Sequence, residues 1–174
     1  MQDEVKSKKY VYALSLNCVL GSFLFGYEMM IMGCLQPLLR IYNSWQPDSS
    51  QEAVMFGMVT AALPLGALVG CFIIRRLLPA LGARRSLILF DIGAIIFISL
   101  QMLDLSAFLM IFTRFVLGTL IGMNSSVIPK YLLSLSPPSM SGATGSLNQL
   151  FITIGIAAAY AMGFSISNAP MSLN

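Results

Sequence analysis

The chain has 174 residues, of which 57% are hydrophobic and only 10% charged, with a mean hydropathy of +0.81. An ordinary soluble domain carries about 25% charged residues, so this composition excludes water as the solvent of the fold. The net charge of +3 comes from ten basic residues scattered along the flanks of apolar stretches; that spread marks membrane topology and excludes a nucleic-acid surface.

A spanning helix needs about 20 mostly apolar residues, because the hydrocarbon core is about 30 Å thick and unpaired peptide groups are costly inside it. A polar tail over residues 1–9 leads into the first predicted span, 10–33, and Pro37 with Arg40 marks its exit. That span is too long for a signal-peptide core, so no cleaved leader is expected. The second span, 53–74, follows SWQPDSSQE, and a tight basic loop over 75–85 leads to the third, 86–103, which carries Asp91. The fourth, 108–133, carries Arg114 near its start. PPSMSG then breaks the helix before the fifth span, 142–165, and residues 167–174 form a short polar tail. The expected fold is a single all-α transmembrane domain over 10–166 with about five spanning helices, whose first partner is the lipid bilayer.

Lysine and arginine distribution predicts orientation. If the spans alternate, Lys6, Lys8, Lys9, Arg75, Arg76, Arg84, Arg85 and Lys130 share one side, while Arg40, Asp48, Glu52 and Asp104 lie on the other. The N-terminus is therefore expected on the cytosolic side, or the matrix side of a mitochondrial inner membrane. Gly66 and Gly70 lie four apart on span two, and Gly118 and Gly122 four apart on span four, a spacing suited to close helix packing. Cys18, Cys34 and Cys71 have no metal-ligand spacing and the chain has no histidine, so neither metal nor cofactor is expected. An enzyme is disfavoured for the same reasons, with no paired carboxylates at helical spacing and no phosphate-binding glycine loop.

Several short stretches, taken in order, resemble the sugar-porter branch of the major facilitator superfamily. FGYEMMIMG at 25–33 is similar to the first-span FGYD/N…G, and GALVGCFIIRRLLPALGARRSLI at 66–88 to the glycine-rich second span with its short basic loop. RFVLGTLIG at 114–122 matches R-x-x-x-G-x-x-x-G of the fourth span. PKYLLSLSPPSMSGATGSLNQLFITIGI at 129–156 resembles P-x-Y-x-x-E-x-x-P-x-x-x-R-G followed by N-Q-L-x-I-T-x-G-I of the fifth. The resemblance implies a fold like the first five helices of the family's N-terminal half. It also implies that Gln149, and with it Asn148, face the sugar path, and that Glu28 holds a position where an acid accompanies proton coupling. The plainer reading has Gln149 and Asn148 bonding a neighbouring helix and Glu28 reaching the membrane interface. Arg114 is expected to cap carbonyls or to pair with Asp104 rather than with Asp91, which lies nearer the opposite side.

In the family, four charged positions at the cytoplasmic ends of the helices form a lock between transport cycles; the corresponding residues here are Pro79, Ala83, Ser134 and Ser141. Loss of the whole set leaves no carboxylate stranded without a partner. With five spans against the family's twelve, this loss favours a transport-incompetent protein kept as an accessory subunit of a larger membrane complex, such as a respiratory-chain complex. Other subunits would then cover the faces left by missing helices. The alternative is a hexose-transporter half working as an oligomer or with a separate second half.

Overall fold

The computed structural model describes residues 2–47, 49–103, 106–135 and 141–168; Asp48, Asp104, residues 136–140 of the proline break and 169–174 of the tail lie outside them. The described residues form five α-helices: α1 (Gln2–Tyr42), α2 (Ser50–Leu81), α3 (Ala83–Leu103), α4 (Ala107–Leu135) and α5 (Ser141–Asn168). Each contains a stretch long and apolar enough to cross a membrane: Val19–Tyr42, Ser50–Leu81, Ala83–Leu103, Ala107–Tyr131 and Ser146–Ser165.

Two helices run past their expected ends. A proline ring inside a helix presses on the carbonyl four residues earlier, which for Pro37 is that of Gly33. Leu39, fully buried, and Met32 hold the turns on either side in the core, so α1 continues to Tyr42. Likewise α2 does not stop before Arg75 but carries Arg75 and Arg76 on regular helix to Leu81, because Leu77 and Leu78 pack against the buried cluster of Ile74, Leu87, Phe90 and Val127. Gly82, at φ 75°, then ends it and returns its N–H to the Leu78 carbonyl at 2.9 Å. A positive φ of this kind costs glycine little. The connection between α2 and α3 is thereby reduced to a single residue.

At the opposite end, Ser49 caps α2 by accepting from the Glu52 N–H at 3.1 Å. The Glu52 carboxylate, 3% exposed, also accepts from Arg40 Nε and Nη2, each at 2.7 Å, and from Gln36 at 3.3 Å. Asn43 Oδ1 accepts the Ala107 N–H at 3.1 Å. The start of α2 and the start of α4 are both tied to the last turns of α1 by these bonds.

Within the bundle, α2 packs on α4 and α1 on α5, backbone against backbone. A Cβ built on Gly66 or Gly70 would run into the carbonyl oxygens of Phe115 or Thr119, and one on Gly118 or Gly122 into those of Leu63 or Ala67. Gly26 and Gly155 stand in the same relation to Ile152 and Phe23 across α1 and α5. The numbers rise together from Gly66–Phe115 to Gly70–Thr119 across α2 and α4, and from Ser22–Asn148 to Cys34–Ala159 across α1 and α5, so the paired helices run parallel. Helix α3 runs antiparallel along α4, with Asp91 beside Asn124 and Gly93 beside Leu120. Large apolar side chains such as Leu65, Phe72, Ile95, Phe112 and Phe164 face outward, the surface a bilayer solvates.

The close approach yields a direct test. Gly118→Ala should destabilise the bundle by about 1–3 kcal/mol, the cost of overpacking. Gly57→Ala, where a Cβ meets open space, should be neutral or should stabilise by up to about 1 kcal/mol through helix propensity. Thermal unfolding of the two variants in one detergent checks the contrast.

Candidate functional site

Helices α1, α4 and α5 converge on a polar strip inside the bundle. The tight α1–α5 pairing at Gly26 and Gly155 brings the buried Ser22 hydroxyl to Asn148, to which it donates a hydrogen bond at 2.5 Å. Beside this bond lies a cleft of about 40 Å³ lined by Ser22, Ser125 and Asn148 with Phe25, Ile121 and Ile152. That volume accommodates a water or one hydroxyl group. Gln149, one residue on and about 100° further round α5, is exposed, and its amide can both donate and accept. Asn148 thus makes a helix-to-helix bond, whereas Gln149 presents itself at the surface of the bundle.

Six residues further along α1, about 9 Å at 1.5 Å per residue, stands Glu28. It is 5% exposed, and Arg114 on α4 is 1% exposed. Arg114 Nη2 donates to the Glu28 carbonyl oxygen at 2.7 Å, and Nη1 lies 3.8 Å from the Glu28 carboxylate. The expectation that Glu28 reaches the interface fails, because its position on α1 turns it toward α4, where the guanidinium compensates its charge. Arg114 caps a carbonyl as expected; Asp104 lies outside the described residues. Arg114 Nε and Nη1 and Glu28 Oε2 have no hydrogen-bond partner among the described residues, so the pair keeps polar capacity in an apolar interior. Asp91 is engaged elsewhere, accepting from Asn124 at 2.9 Å.

The four positions that the resemblance matches to a charged lock lie at the basic end of the bundle. Pro79 is exposed near the end of α2, Ala83 opens α3, and Ser141 opens α5. Ser134, exposed, spends its hydroxyl on the Tyr131 carbonyl at 2.7 Å. Sequence reasoning missed Ser22 and Ser125, for which no motif exists. It also missed that Glu28 and Arg114 meet; two lone opposite charges on separate spans were the available signal.

The family model for sugar (and other) transporters matches residues 14–171. The chain belongs to that transporter family. It is similar to the glucose transporter GlcP of Staphylococcus epidermidis, at 32% identity over 94% of this chain and 35% of that protein. The plastidic glucose transporter 4 of Arabidopsis thaliana is 33% identical over 98% of this chain and 31% of its own length. The facilitated glucose transporter member 3 of solute carrier family 2 from Gallus gallus is 27% identical over 94% and 35%. The chain therefore spans about a third of the length of the curated relatives it matches.

These findings overturn the accessory-subunit expectation. The relatives are named as sugar transporters and none as a subunit of a respiratory complex, and the mitochondrial location that rested on that reading goes with it. The transporter alternative fits better. The family is non-enzymatic, and this member is a multi-pass integral membrane protein.

The buried pair makes its own prediction. Removing one partner of a buried ion pair typically costs about 3–5 kcal/mol, whereas replacing both with apolar groups is often far milder. Arg114→Met should therefore lower thermal stability in detergent much more than the double variant E28L/R114M. Equal losses would mean that the carboxylate and guanidinium do not compensate each other.

Proposed function

We propose that this chain forms part of a sugar transporter, supplying one wall of a hexose path along the exposed side of α5 and the cleft between α1, α4 and α5. The reading is supported above all by Gln149, an amide exposed at the edge of a polar strip in an otherwise apolar bundle. A sugar hydroxyl needs both a donor and an acceptor, and a primary amide offers both. Asn148 and Ser22 form the second layer: their mutual bond fixes the α5 turn that carries Gln149, and Asn148 is a further candidate contact. The distribution of Arg75, Arg76, Arg84 and Arg85 supports a cytosolic N-terminus.

Glu28 supplies the finer part of the reading. An acid in the membrane interior beside an arginine is suited to carry a proton through the cycle, since protonation would release Arg114 for other acceptors. Coupling of sugar uptake to a proton gradient then rests on Glu28.

Two measurements test this. In a chimera where this chain replaces the matching third of the staphylococcal glucose transporter, labelled-hexose uptake into vesicles should saturate. Gln149→Ala should raise KM by about tenfold, the loss of one or two hydrogen bonds at about 1 kcal/mol each. A chimera that inserts at normal levels yet takes up no sugar sinks the transporter reading. Separately, Glu28→Gln should leave sugar exchange at equal pH intact and remove the acceleration caused by an imposed proton gradient; unchanged acceleration removes Glu28 from any coupling role.

A further inference from the structure

The basic end of the bundle carries Arg75, Arg76, Arg84 and Arg85, all exposed. Neither ion pair found among the described side chains involves any of them: Arg40–Glu52 lies at the other end, and Arg114–Glu28 inside the bundle. Because α2 stays helical to Leu81, Phe72, Ile73, Arg75 and Arg76 fall three and four residues apart on one continuous face. With Leu77 they line a groove of about 640 Å³. Leu77 also packs against the buried cluster, so the floor of the groove is fixed to the core. Phe72 and Ile73, 64% and 38% exposed, lie two to four residues, about 3–6 Å, nearer the middle of α2 than Arg75 and Arg76.

We infer that this groove holds an anionic phospholipid, its phosphate on Arg75 and Arg76 and one acyl chain along Phe72 and Ile73. The guanidinium fork pairs bidentately with phosphate oxygens and is weakly enough hydrated to do so at an interface. A zwitterionic headgroup brings its own ammonium and gains little from two more cations, so the groove selects for net negative charge. The exposed phenyl ring and the isoleucine, nearer the middle of α2, accept hydrocarbon, which free phosphate lacks. Arg84 and Arg85, across the Gly82 turn, share the charge of this end but not the groove lining. The inference rests on the groove and its charge alone and does not depend on the transport reading.

The test is native mass spectrometry of the full chain in mild detergent, titrated with phosphatidylserine and phosphatidylcholine of identical acyl chains. Phosphatidylserine should be retained over phosphatidylcholine by about tenfold or more, the scale set by two basic residues near an anionic headgroup. R75Q/R76Q should abolish that preference. R84Q/R85Q, which removes the same charge, should change it by about twofold at most, and Phe72→Ala should weaken both lipids. Excess inorganic phosphate or glycerophosphoserine should not displace the lipid. Equal retention of the two lipids, equal losses in the two double variants, or displacement by inorganic phosphate would each overturn the assignment, the second pointing to diffuse surface charge and the third to a phosphate site.

Discussion

The arrangement depends on backbone-to-backbone approach at glycines. Lipid tails are as apolar as leucine, so no hydrophobic force draws one of these helices to another once they are in the bilayer. What remains is dispersion between surfaces that fit, and it falls off steeply with separation. Gly66, Gly70, Gly118 and Gly122 let α2 and α4 touch along their carbonyls, and Gly26 and Gly155 do the same for α1 and α5. The bundle is two such parallel pairs with α3 laid antiparallel along α4. The Ser22–Asn148 contact of the candidate site presupposes the second pair, because the two side chains meet only where α1 and α5 are already in register.

A second constraint joins the pairs. The guanidinium of Arg114, on α4, crosses to Glu28 on α1 and takes a backbone carbonyl as well as the carboxylate. Apolar packing alone tolerates sliding; a charged group buried to 1% exposure does not, since any shift would leave it uncompensated at high cost. The packing thus sets the distance between helices, and the buried pair sets the register between α1 and α4. On the Arg40 side the Glu52 carboxylate gives a similar fix for α2 against α1.

Much of the fold was legible because the bilayer imposes a length and a composition that few other solvents require. The five spans follow from runs of apolar residues bounded by polar segments, and the glycine pairs stand four apart in plain view. Helix ends were less legible. Pro37 and the Arg75–Arg76 pair look like terminators, yet buried Met32 and Leu39 hold α1 in the core on either side of the first and the packing of Leu77 and Leu78 outweighs the second. The candidate site divides the same way. Gln149 and Asn148 could be found through the NQLFITIGI motif. Ser22, and the meeting of Glu28 with Arg114, depend on the rotation and depth of separate helices, which a linear pattern does not encode.

The substituted charged lock explains why the sequence led toward an inert protein and why that step was unsound. Pro79, Ala83, Ser134 and Ser141 are uncharged as a set, and a network of ion pairs at a desolvated interface contributes little net stability over well-packed neutral groups. Its absence is correspondingly weak evidence against function. The charged residues exposed there include the four arginines and Lys130, and neither ion pair found among the described side chains involves them. The exposed Gln149 amide and the buried Glu28–Arg114 pair do not depend on those four positions.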